Sequence, residues 1–321
     1  MSRDRVIDSL GRIDDDMIEN VNKLRQKPRR KRAWVHWVAA AACLAVLAVS
    51  AEASNGFVSN LLAPLYGGAQ TELIDRIGVP VGASVTVAGY TLTADAIIGD
   101  RYNFAIVYTL CREDGQPMPE DVMFAEHDIF LRRGVGAGSG KYIRSEDGMK
   151  YHIVEQWTSG YSVLVRGNAK TVFSDLVLCQ GENTEMIAEG TWELNFAVRY
   201  KDTSVKVPIK EVEVTDPKGY SYQIHRIRVS PIGLYIELTS PVRTKDTELL
   251  EGPMIDFPVS VILSDDSRIN MDDWGYGASV EYGDDVYTQE VNYGAFFKTP
   301  IPLDTIRGIE ICGAVIDVDL P

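Results

Sequence analysis

Three hydrophobic patterns divide the chain. Residues 6–24 place apolar side chains three or four positions apart, which is the period of an amphipathic helix. Residues 33–51, AWVHWVAAAACLAVLAVSA, form an apolar run without a formal charge. From residue 79 onward, apolar and polar positions alternate in short stretches between Gly, Pro and Asp, as they do in β-strands. The chain is therefore expected to be mainly β, preceded by an amphipathic helix and one transmembrane helix.

The N-terminal helix has one apolar face and one acidic face. Asp14, Asp15, Asp16 and Glu19 lie opposite the apolar stripe. A tail of about 32 residues is too short to bury such a stripe in a core of its own. The stripe could dock into a partner's groove, self-associate, lie on the membrane, or fray, and docking is the interpretation we favour. The candidate docking residues are Leu10, Ile13, Met17, Val21 and Leu24.

The apolar run has the length and flanks of a membrane span. At about 1.5 Å per residue it covers roughly 28 Å, close to the thickness of a bilayer's hydrocarbon core. Glu52 follows it, and a basic cluster precedes it. By the positive-inside rule, the N-terminus is cytoplasmic and the bulk of the chain is extracytoplasmic in a single-pass protein of the cell membrane. The residues that set this topology are Lys27, Arg29, Arg30, Lys31 and Arg32.

A cleaved signal peptide is the alternative for this region. The small residues Ala48-Val49-Ser50-Ala51 could form a cleavage site. However, the basic segment before the apolar run would then be about 32 residues long and would contain a helix, which is unusual for a signal peptide. We therefore favour a retained membrane helix.

The remainder is predicted to form two tandem β-sandwich domains of immunoglobulin-like type. A weak internal repeat supports two domains. GYTLTADAIIGDRYNFAIVY begins at Gly89 and GYSYQIHRIRVSPIGLYIEL begins at Gly219, and the two segments align at a constant offset without gaps. The predicted organisation is a cytoplasmic segment at 1–32, the transmembrane helix at 33–51, a short helical connector at 52–78, β-domain one at 79–205 and β-domain two at 206–321.

Charge is distributed unevenly between the tail and the body. Residues 1–32 hold ten Lys or Arg and six Asp or Glu of the chain's 32 and 46, a net charge of +4. Residues 33–321 therefore hold 22 and 40, a net charge of −18. So acidic a body argues against nucleic acid as a partner, because nucleic-acid binding depends on neutralising phosphates.

The chain offers no convincing catalytic motif. GVGAGSGK at 134–141 fails the phosphate-loop spacing, because Val135 occupies the first glycine position and Tyr142 replaces the Ser or Thr; we expect a Gly-rich hairpin loop. His127 and His152 could approach each other, but two histidines do not make a site. We therefore predict no enzymatic activity, no cofactor and no metal site.

Two further features leave alternatives open. Cysteines 111, 179 and 312 are most simply buried apolar residues, with Cys111–Cys179 the one pairing worth testing. The acidic pairs at 265–266, 272–273 and 284–285 could bind calcium, but they lack EF-hand spacing and are expected to be solvated loops. Aromatic residues in the same stretch could form a recognition surface or simply pack in a long hairpin.

The sequence resembles a family of single-pass membrane proteins of Gram-positive bacteria that are described as anti-sigma-factor-like and carry an extracytoplasmic domain of unknown function. The resemblance rests on IDDDMIEN at 13–20, RRKRAWVHWVAAAACLAVLAV at 29–49 and VTVAGYTLTADAIIGDRYNFAIVYTL at 85–110. It implies that the chain holds an extracytoplasmic-function sigma factor at the membrane. The cytoplasmic part lacks the His and Cys ligands of a zinc-type anti-sigma domain.

The hypothesis for function is a signal-transducing regulator. The β-domains would sense an unknown ligand of the cell envelope, and the inner helix would contact a sigma factor. The alternative is a membrane-tethered envelope-binding or adhesion module with no signalling role. The regulator needs the apolar face of residues 6–24, whereas the adhesion module needs only the basic cluster.

Overall fold

The structure, a computed structural model, describes residues 56–131, 137–158, 167–181, 183–217, 219, 221–241, 258–271, 276–282 and 288–318, all of which lie in one compact unit. The predicted cytoplasmic and transmembrane helices lie outside these residues. Among the helices described, none has the length and apolar character needed to cross a membrane.

The first half of the described region consists of two antiparallel sheets. One sheet has the order β1-β2-β3-β6-β5, and the other has the order β4-β7-β8. Their facing sides enclose an apolar core that includes Trp192, Phe173 and Tyr108. The strands are β1 (Val79–Val87), β2 (Tyr90–Gly99), β3 (Asn103–Arg112), β4 (Val122–Leu131), β5 (Ala137–Arg144), β6 (Lys150–Thr158), β7 (Gly167–Gln180) and β8 (Asn183–Val198).

The second half repeats this layering with its own core. Its sheets have the orders β10-β11-β12-β16-β15, with β9 also paired to β11, and β14-β13-β17-β18. Core residues come from both sheets, among them Ile236 and Ile309. The strands are β9 (Val205–Val207), β10 (Val212–Thr215), β11 (Ser221–Ser230), β12 (Gly233–Pro241), β13 (Val259–Leu263), β14 (Arg268–Asn270), β15 (Tyr276–Tyr282), β16 (Thr288–Phe296), β17 (Ile306–Ile311) and β18 (Ala314–Asp317).

The strands follow the alternation of the sequence. In β8, for example, Trp192, Leu194 and Phe196 face the core while the residues between them are exposed. The prediction of a mainly β, sandwich-like chain is confirmed. Its immunoglobulin-like type and its domain boundaries stay predictions.

The internal repeat is present in the strand pairing. In the hairpin β2–β3, Ile97 pairs with Ile106; in the hairpin β11–β12, Ile227 pairs with Ile236. The register shift between positions 94 and 96 of the first hairpin recurs at the equivalent positions of the second, between 224 and 226. The two hairpins therefore share their strand register and their β-bulge. For these two hairpins, the repeat predicted from the sequence is confirmed.

The side chain of each bulge residue makes an equivalent contact. Thr109 Oγ1 donates to Asp95 Oδ2 at 2.6 Å, and His225 Nε2 lies 2.6 Å from Thr239 Oγ1. Asp95 corresponds to His225 in the repeat, and Thr109 corresponds to Thr239. The repeat thus extends from backbone register to side-chain position even though the bulge residues differ in type.

Residues 57–77 form three short helices, α1 (Phe57–Leu61), α2 (Ala63–Tyr66) and α3 (Thr71–Ile77). Short helical turns are predicted here, but as a connector. The structure instead places the helices as a third layer on the outer side of the first five-stranded sheet. Leu62 and Ile74 are fully buried in a cluster that includes Val154 of β6 and, from the second half, Ile232 and Phe296. The helical layer therefore contacts both halves.

A buried carboxylate joins the two halves. Asp100, in the turn of the hairpin β2–β3, accepts hydrogen bonds at Oδ1 from the backbone N–H groups of Tyr102 (2.7 Å) and Asn103 (2.8 Å). Its Oδ2 accepts a 2.5 Å hydrogen bond from Ser230 Oγ, in the matching turn of the second half. Ser230 Oγ in turn accepts the N–H of Ile232, so both turns use a side-chain oxygen to bond the residue two positions on.

Packing around this bond is close. Tyr102 stacks on Tyr235, with ring centroids 3.6 Å apart and an interplanar angle of 8°. Thr158 of β6 donates to Asn103 Oδ1 at 3.0 Å and lies against Gly294 of β16, where an added Cβ would come within 2.1 Å of Thr158 Cγ2. Gly294 is therefore required by the approach of the two sheets rather than by a turn.

The segment that connects the two halves contacts residues in or beside the hairpin turns just described. The ring of Tyr200 covers Gly99, which has no room for a Cβ. Asp202 pairs with Arg101 at 3.1 Å, and Arg228 donates to the carbonyl of Ser204 at 2.8 Å. The connection thus contacts the hairpin of each half.

We predict strong coupling between Asp100 and Ser230. Asp100→Ala should lower the free energy of unfolding by about 3 kcal/mol, because it leaves buried N–H donors without an acceptor. In a double-mutant cycle with Ser230→Ala, the coupling energy should be at least about 1 kcal/mol. The measurement is urea unfolding of the full-length protein in detergent, followed by circular dichroism.

The matched control is the exposed hydroxyl pair Ser84–Thr93, whose oxygens lie 2.9 Å apart within one sheet. Its coupling should stay below about 0.5 kcal/mol, since both hydroxyls can bond to water instead. Additive effects for Asp100 and Ser230 would show that the junction does not depend on their bond.

Candidate functional site

One inward position of strand β6 breaks the apolar pattern. Tyr151, Ile153, Glu155 and Trp157 share the face that points into the first sandwich. Glu155 is only 4% exposed and lies beside Ile106 of β3. A carboxylate in a sandwich core is costly unless it is paired, so its surroundings call for an explanation.

The partner of Glu155 comes from the opposite sheet. His127 of β4 places Nδ1 2.9 Å from Glu155 Oε1, and its ring lies on Phe173, with centroids 4.2 Å apart. The His127 side chain is 20% exposed. This pair connects the two sheets across the core and is reached by solvent on one side.

Two buried nitrogens beside this pair, His127 Nε2 and Trp157 Nε1, make no hydrogen bond with the described residues. Buried polar atoms are nearly always paired in folded proteins, so a group of unpaired atoms is unusual. Burial, together with the nearby charge of Glu155, raises the pKa of Tyr108 well above its ordinary value. The hydroxyl of Tyr108 lies within side-chain hydrogen-bonding reach of both Thr171 and Glu155, so these three groups interact with one another.

Strand β5, at the edge of the sheet, leaves an opening over this group. Gly140 pairs with Glu155 and shares its inward face. A Cβ at Gly140 would meet no atom within 4 Å, and the residue is exposed. Gly138, two residues earlier, has no such space, because the indole of Trp157 covers it at 2.6 Å from the ideal Cβ position. The absence of a side chain at Gly140 therefore opens the sandwich beside Glu155.

Tyr142 forms the other wall of the opening. It lies two residues after Gly140 on the same face, and its Oη accepts the backbone N–H of Phe124 from β4 at 3.2 Å. Burial raises the pKa of Tyr142 to about 12, so the hydroxyl is neutral at physiological pH. We call this group of residues, Tyr142, Gly140, Trp157, Glu155 and His127, the polar slot.

A second polar group lies on the outer face of the same sheet. Thr109 Oγ1 lies between Asp95 Oδ2 (2.6 Å) and His152 Nδ1 (3.3 Å). Burial raises the pKa of Asp95 to about 6, partly offset by the bond from Thr109 and the charge of Lys150. Burial lowers the pKa of His152. In this group the Thr109 hydroxyl lies between the carboxylate and the histidine. In a nucleophilic triad the histidine lies between the carboxylate and the hydroxyl.

The predicted site residues are not among those described. Leu10, Ile13, Met17, Val21 and Leu24 of the docking face, and the basic cluster at 27–32, all precede residue 56. The docking and topology assignments therefore stay predictions.

The pairings considered from the sequence do not form. His127 faces the core from the second sheet, whereas His152 is on the outer face of the first, so the two do not meet. Cys111, Cys179 and Cys312 are free thiols. Burial raises the pKa of Cys111 and Cys312.

The loop motifs that the structure describes have structural roles, whereas the acidic pairs at 272–273 and 284–285 lie outside the described residues. Part of GVGAGSGK lies in strand β5, where Lys141 pairs with Val154, rather than in a hairpin loop alone. Asp265 caps its own turn by accepting the N–H of Ser267 at 3.0 Å, and Asp266 pairs with Arg307 at 2.9 Å. Within the described ranges, no three His, Cys, Asp or Glu side chains are arranged to hold a metal.

The sequence contained a signal for the polar slot. In YHIVEQW, alternation assigns Tyr, Ile, Glu and Trp to one face, so Glu155 is a charged residue at an apolar position. Its histidine partner could not be identified, because His127 is distant in the chain and reaches Glu155 only through the packing of two sheets.

Comparisons with known proteins identify a fold but no family. No family model matches the chain, and no curated protein matches it. Among solved structures, it is similar to one titled "The crystal structure of the conserved domain protein from Bacillus anthracis". The TM-score is 0.51 and the identity 14%, over 77% of this chain and 79% of that chain. At this identity the likeness shows the fold alone.

We predict opposite outcomes for the two glycines of strand β5. Gly138→Ala should displace the Trp157 indole and cost about 1–3 kcal/mol of stability. Gly140→Ala should change stability by no more than about 1 kcal/mol, in the stabilising direction, because its Cβ enters open space and the unfolded chain loses freedom. Thermal unfolding of the full-length protein provides the comparison; equal destabilisation by both changes would mean that the space over Gly140 is filled.

We predict a pH-dependent effect of Asp95→Asn. Because the pKa of Asp95 is raised in the folded state, its contribution to stability is greatest below about pH 4 and is lost as the pH rises through about 6. The variant should therefore gain stability relative to the parent between about pH 4 and 7. Unfolding by urea at several pH values measures this.

The contrasting variant is Asp114→Asn. Hydrogen bonding to Arg112 lowers the pKa of exposed Asp114, so its contribution is present above its unfolded pKa and lost as the pH falls. Relative to the parent, this variant should lose stability as the pH rises. If the stability difference from the parent changes with pH in the same direction for both variants, the pKa of Asp95 is not raised.

Proposed function

We propose that the chain is a membrane-anchored, anti-sigma-factor-like regulator. In this proposal, residues 33–51 span the cell membrane once, and the N-terminal helix docks a sigma factor in the cytoplasm. The extracytoplasmic region, two tandem immunoglobulin-like sandwiches, senses a ligand of the cell envelope. The amphipathic pattern, the basic cluster and the family resemblance support it.

The observation that carries the proposal is how the described chain begins. Only residues 52–55 separate the apolar run from Gly56. The N–H of Gly56 donates to Asp75 Oδ2 at 2.8 Å, and the N–H of Ser59 donates to Asp75 Oδ1 at 2.7 Å. The first described residues are thus bonded to helix α3.

The helical layer supports transmission from either half. Through Leu62, Ile74 and Tyr66 it packs on the first five-stranded sheet and on Ile232 and Phe296 of the second half. A change in the relative position of the halves would therefore alter the packing of the helices that follow the apolar run. A simple membrane tether would not require helices that pack against both halves, which favours the regulator over the adhesion module.

The proposal predicts a cytoplasmic partner that depends on the apolar stripe. Full-length protein is crosslinked in native membranes, purified, and its partners are identified by mass spectrometry. A sigma subunit should be enriched with the parent protein and reduced at least about tenfold with Ile13→Asp, Met17→Asp, because two charges on the apolar face prevent its burial in a groove.

The matched control changes the opposite face of the same helix. Asp14→Asn, Glu19→Gln also alters two charges, but it should retain the partner. Recovery of no sigma subunit with any of the three proteins would contradict the regulator and leave the adhesion module as the better explanation.

A further inference from the structure

We propose that a cleft between the helical layer and the second half binds a zwitterion with an aliphatic side chain, either a free amino acid or a short peptide. The binding claim stands on the cleft alone. Its role as the regulator's input rests on the proposed function.

The cleft is formed by loops of the second half and by the residue that precedes a helix. It has a volume of about 550 Å³, within the range of roughly 300–1,000 Å³ that is usual for small-molecule sites. Its lining comes from three places: Gln70, just before α3; the turn between β13 and β14; and residues 298–302, between β16 and β17. Ligand sites are common at such boundaries between structural units.

Part of the lining is aliphatic. Leu263 and Ile269 pack against the second core but are only half-buried, so part of each side chain is accessible in the cleft. Pro302, also in the lining, is half-buried as well. Covering apolar surface of this kind favours binding, because the surface is removed from water. This part of the cleft therefore suits an aliphatic side chain.

The cleft also carries two side chains of opposite charge. Lys298 and Asp265 are both exposed and both line it. Ser267 donates to Asp265 Oδ1 from its N–H at 3.0 Å and from its Oγ at 2.5 Å, while Oδ2 bonds to none of the described residues. The bonds from Ser267 lower the pKa of Asp265, so the carboxylate is ionised at physiological pH.

This pair of charges favours a zwitterion over a ligand with a single charge. A simple carboxylate would be attracted to Lys298 but repelled by Asp265, and a simple amine would meet the reverse arrangement. A ligand with both an ammonium and a carboxylate group can form a charge-assisted bond to each side chain. Amino acids and short peptides combine these two groups with an aliphatic side chain.

The loop that carries Lys298 is fixed at both ends. The N–H of Phe297 donates to the carbonyl of Ile232 at 2.8 Å, and the N–H of Ile301 donates to the carbonyl of Pro231 at 2.7 Å. These bonds hold the loop in place before a ligand arrives. A preformed site binds more tightly, because less conformational freedom is lost on binding.

The cleft adjoins both the junction of the halves and the helical layer. Pro231 and Ile232, which anchor the loop, directly follow Ser230 in the chain, and Ser230 bonds Asp100 at the junction. On the helical side, Gln70 directly precedes α3. A ligand in the cleft would therefore act next to the two places where the halves and the helices are joined.

The test is calorimetric titration with leucyl-leucine. The full-length protein is held in phospholipid nanodiscs, so that no detergent competes for the aliphatic lining. Binding should be saturable, with a Kd on the order of 0.1 mM. N-acetyl-leucyl-leucine and leucyl-leucine amide each lack one charge and should each bind at least about fivefold more weakly. No saturable binding of leucyl-leucine, or equal binding of either blocked peptide, would overturn the proposal.

Three variants locate the site. Asp265→Asn and Lys298→Gln each remove one charge at an exposed position, and each should weaken binding at least about fivefold. Ser264→Trp places a large side chain in the cleft from an exposed position, and should abolish binding while circular dichroism stays unchanged. Full binding by a folded Ser264→Trp protein would overturn the proposal.

The matched controls are Asp266→Asn and Lys206→Gln. Asp266 is the neighbour of Asp265 but pairs with Arg307, and Lys206 is an exposed lysine of β9. Both variants should bind leucyl-leucine as the parent does. If either weakened binding as much as the cleft variants do, the effect would be one of net charge and the proposal would fail.

A second ligand, L-leucine, distinguishes the source of the zwitterion. Binding equal to that of leucyl-leucine indicates a free amino acid, and binding of leucyl-leucine alone indicates a peptide. Loss of the sigma subunit in the crosslinking experiment would leave these results unaffected.

Discussion

The hydrogen bond between Asp100 and Ser230 is the interaction on which the arrangement of the two halves depends. It is shielded from solvent, since Asp100 and Ser230 are each 1% exposed. Burial raises the pKa of Asp100, and four hydrogen bonds to its carboxyl oppose that rise. The stack of Tyr102 on Tyr235 and the contact of Thr158 with Gly294 are possible only while the two turns keep this separation.

This bond also explains how a duplicated framework packs against itself. Positions 100 and 230 are equivalent in the repeat, so the two hairpins meet through the same turn. Identical residues would give either two carboxylates, which repel, or two hydroxyls, which bond weakly. One carboxyl group and one hydroxyl form a hydrogen bond, while each side chain still caps its own turn. The difference in residue type between positions 100 and 230 therefore allows the bond.

Local patterns predicted much of the fold, and contacts between distant strands account for what they missed. Alternation identified the strands, and the constant offset of the repeat identified two hairpins that share a register and a bulge. The helices at 57–77 were predicted as a connector, because nothing local shows that Leu62 and Ile74 are buried under a sheet. GVGAGSGK was predicted as a loop, because its glycines suit turns; only the register shows that Gly138 accommodates Trp157 and that Gly140 opens the slot. The docking and topology residues precede the described region.

Strand β6 brings the separate features together. Glu155 faces the polar slot, and its neighbour Val154 faces the helical layer on the other side of the sheet. Thr158, further along the strand, bonds Asn103 at the junction with the second half. In an extended strand these three positions lie within about 13 Å. A change in the pairing of Glu155 would act on the strand that supports both the helices and the junction. The buried carboxylate, costly for stability, is therefore placed where its pairing state can affect the part of the chain that follows the apolar run.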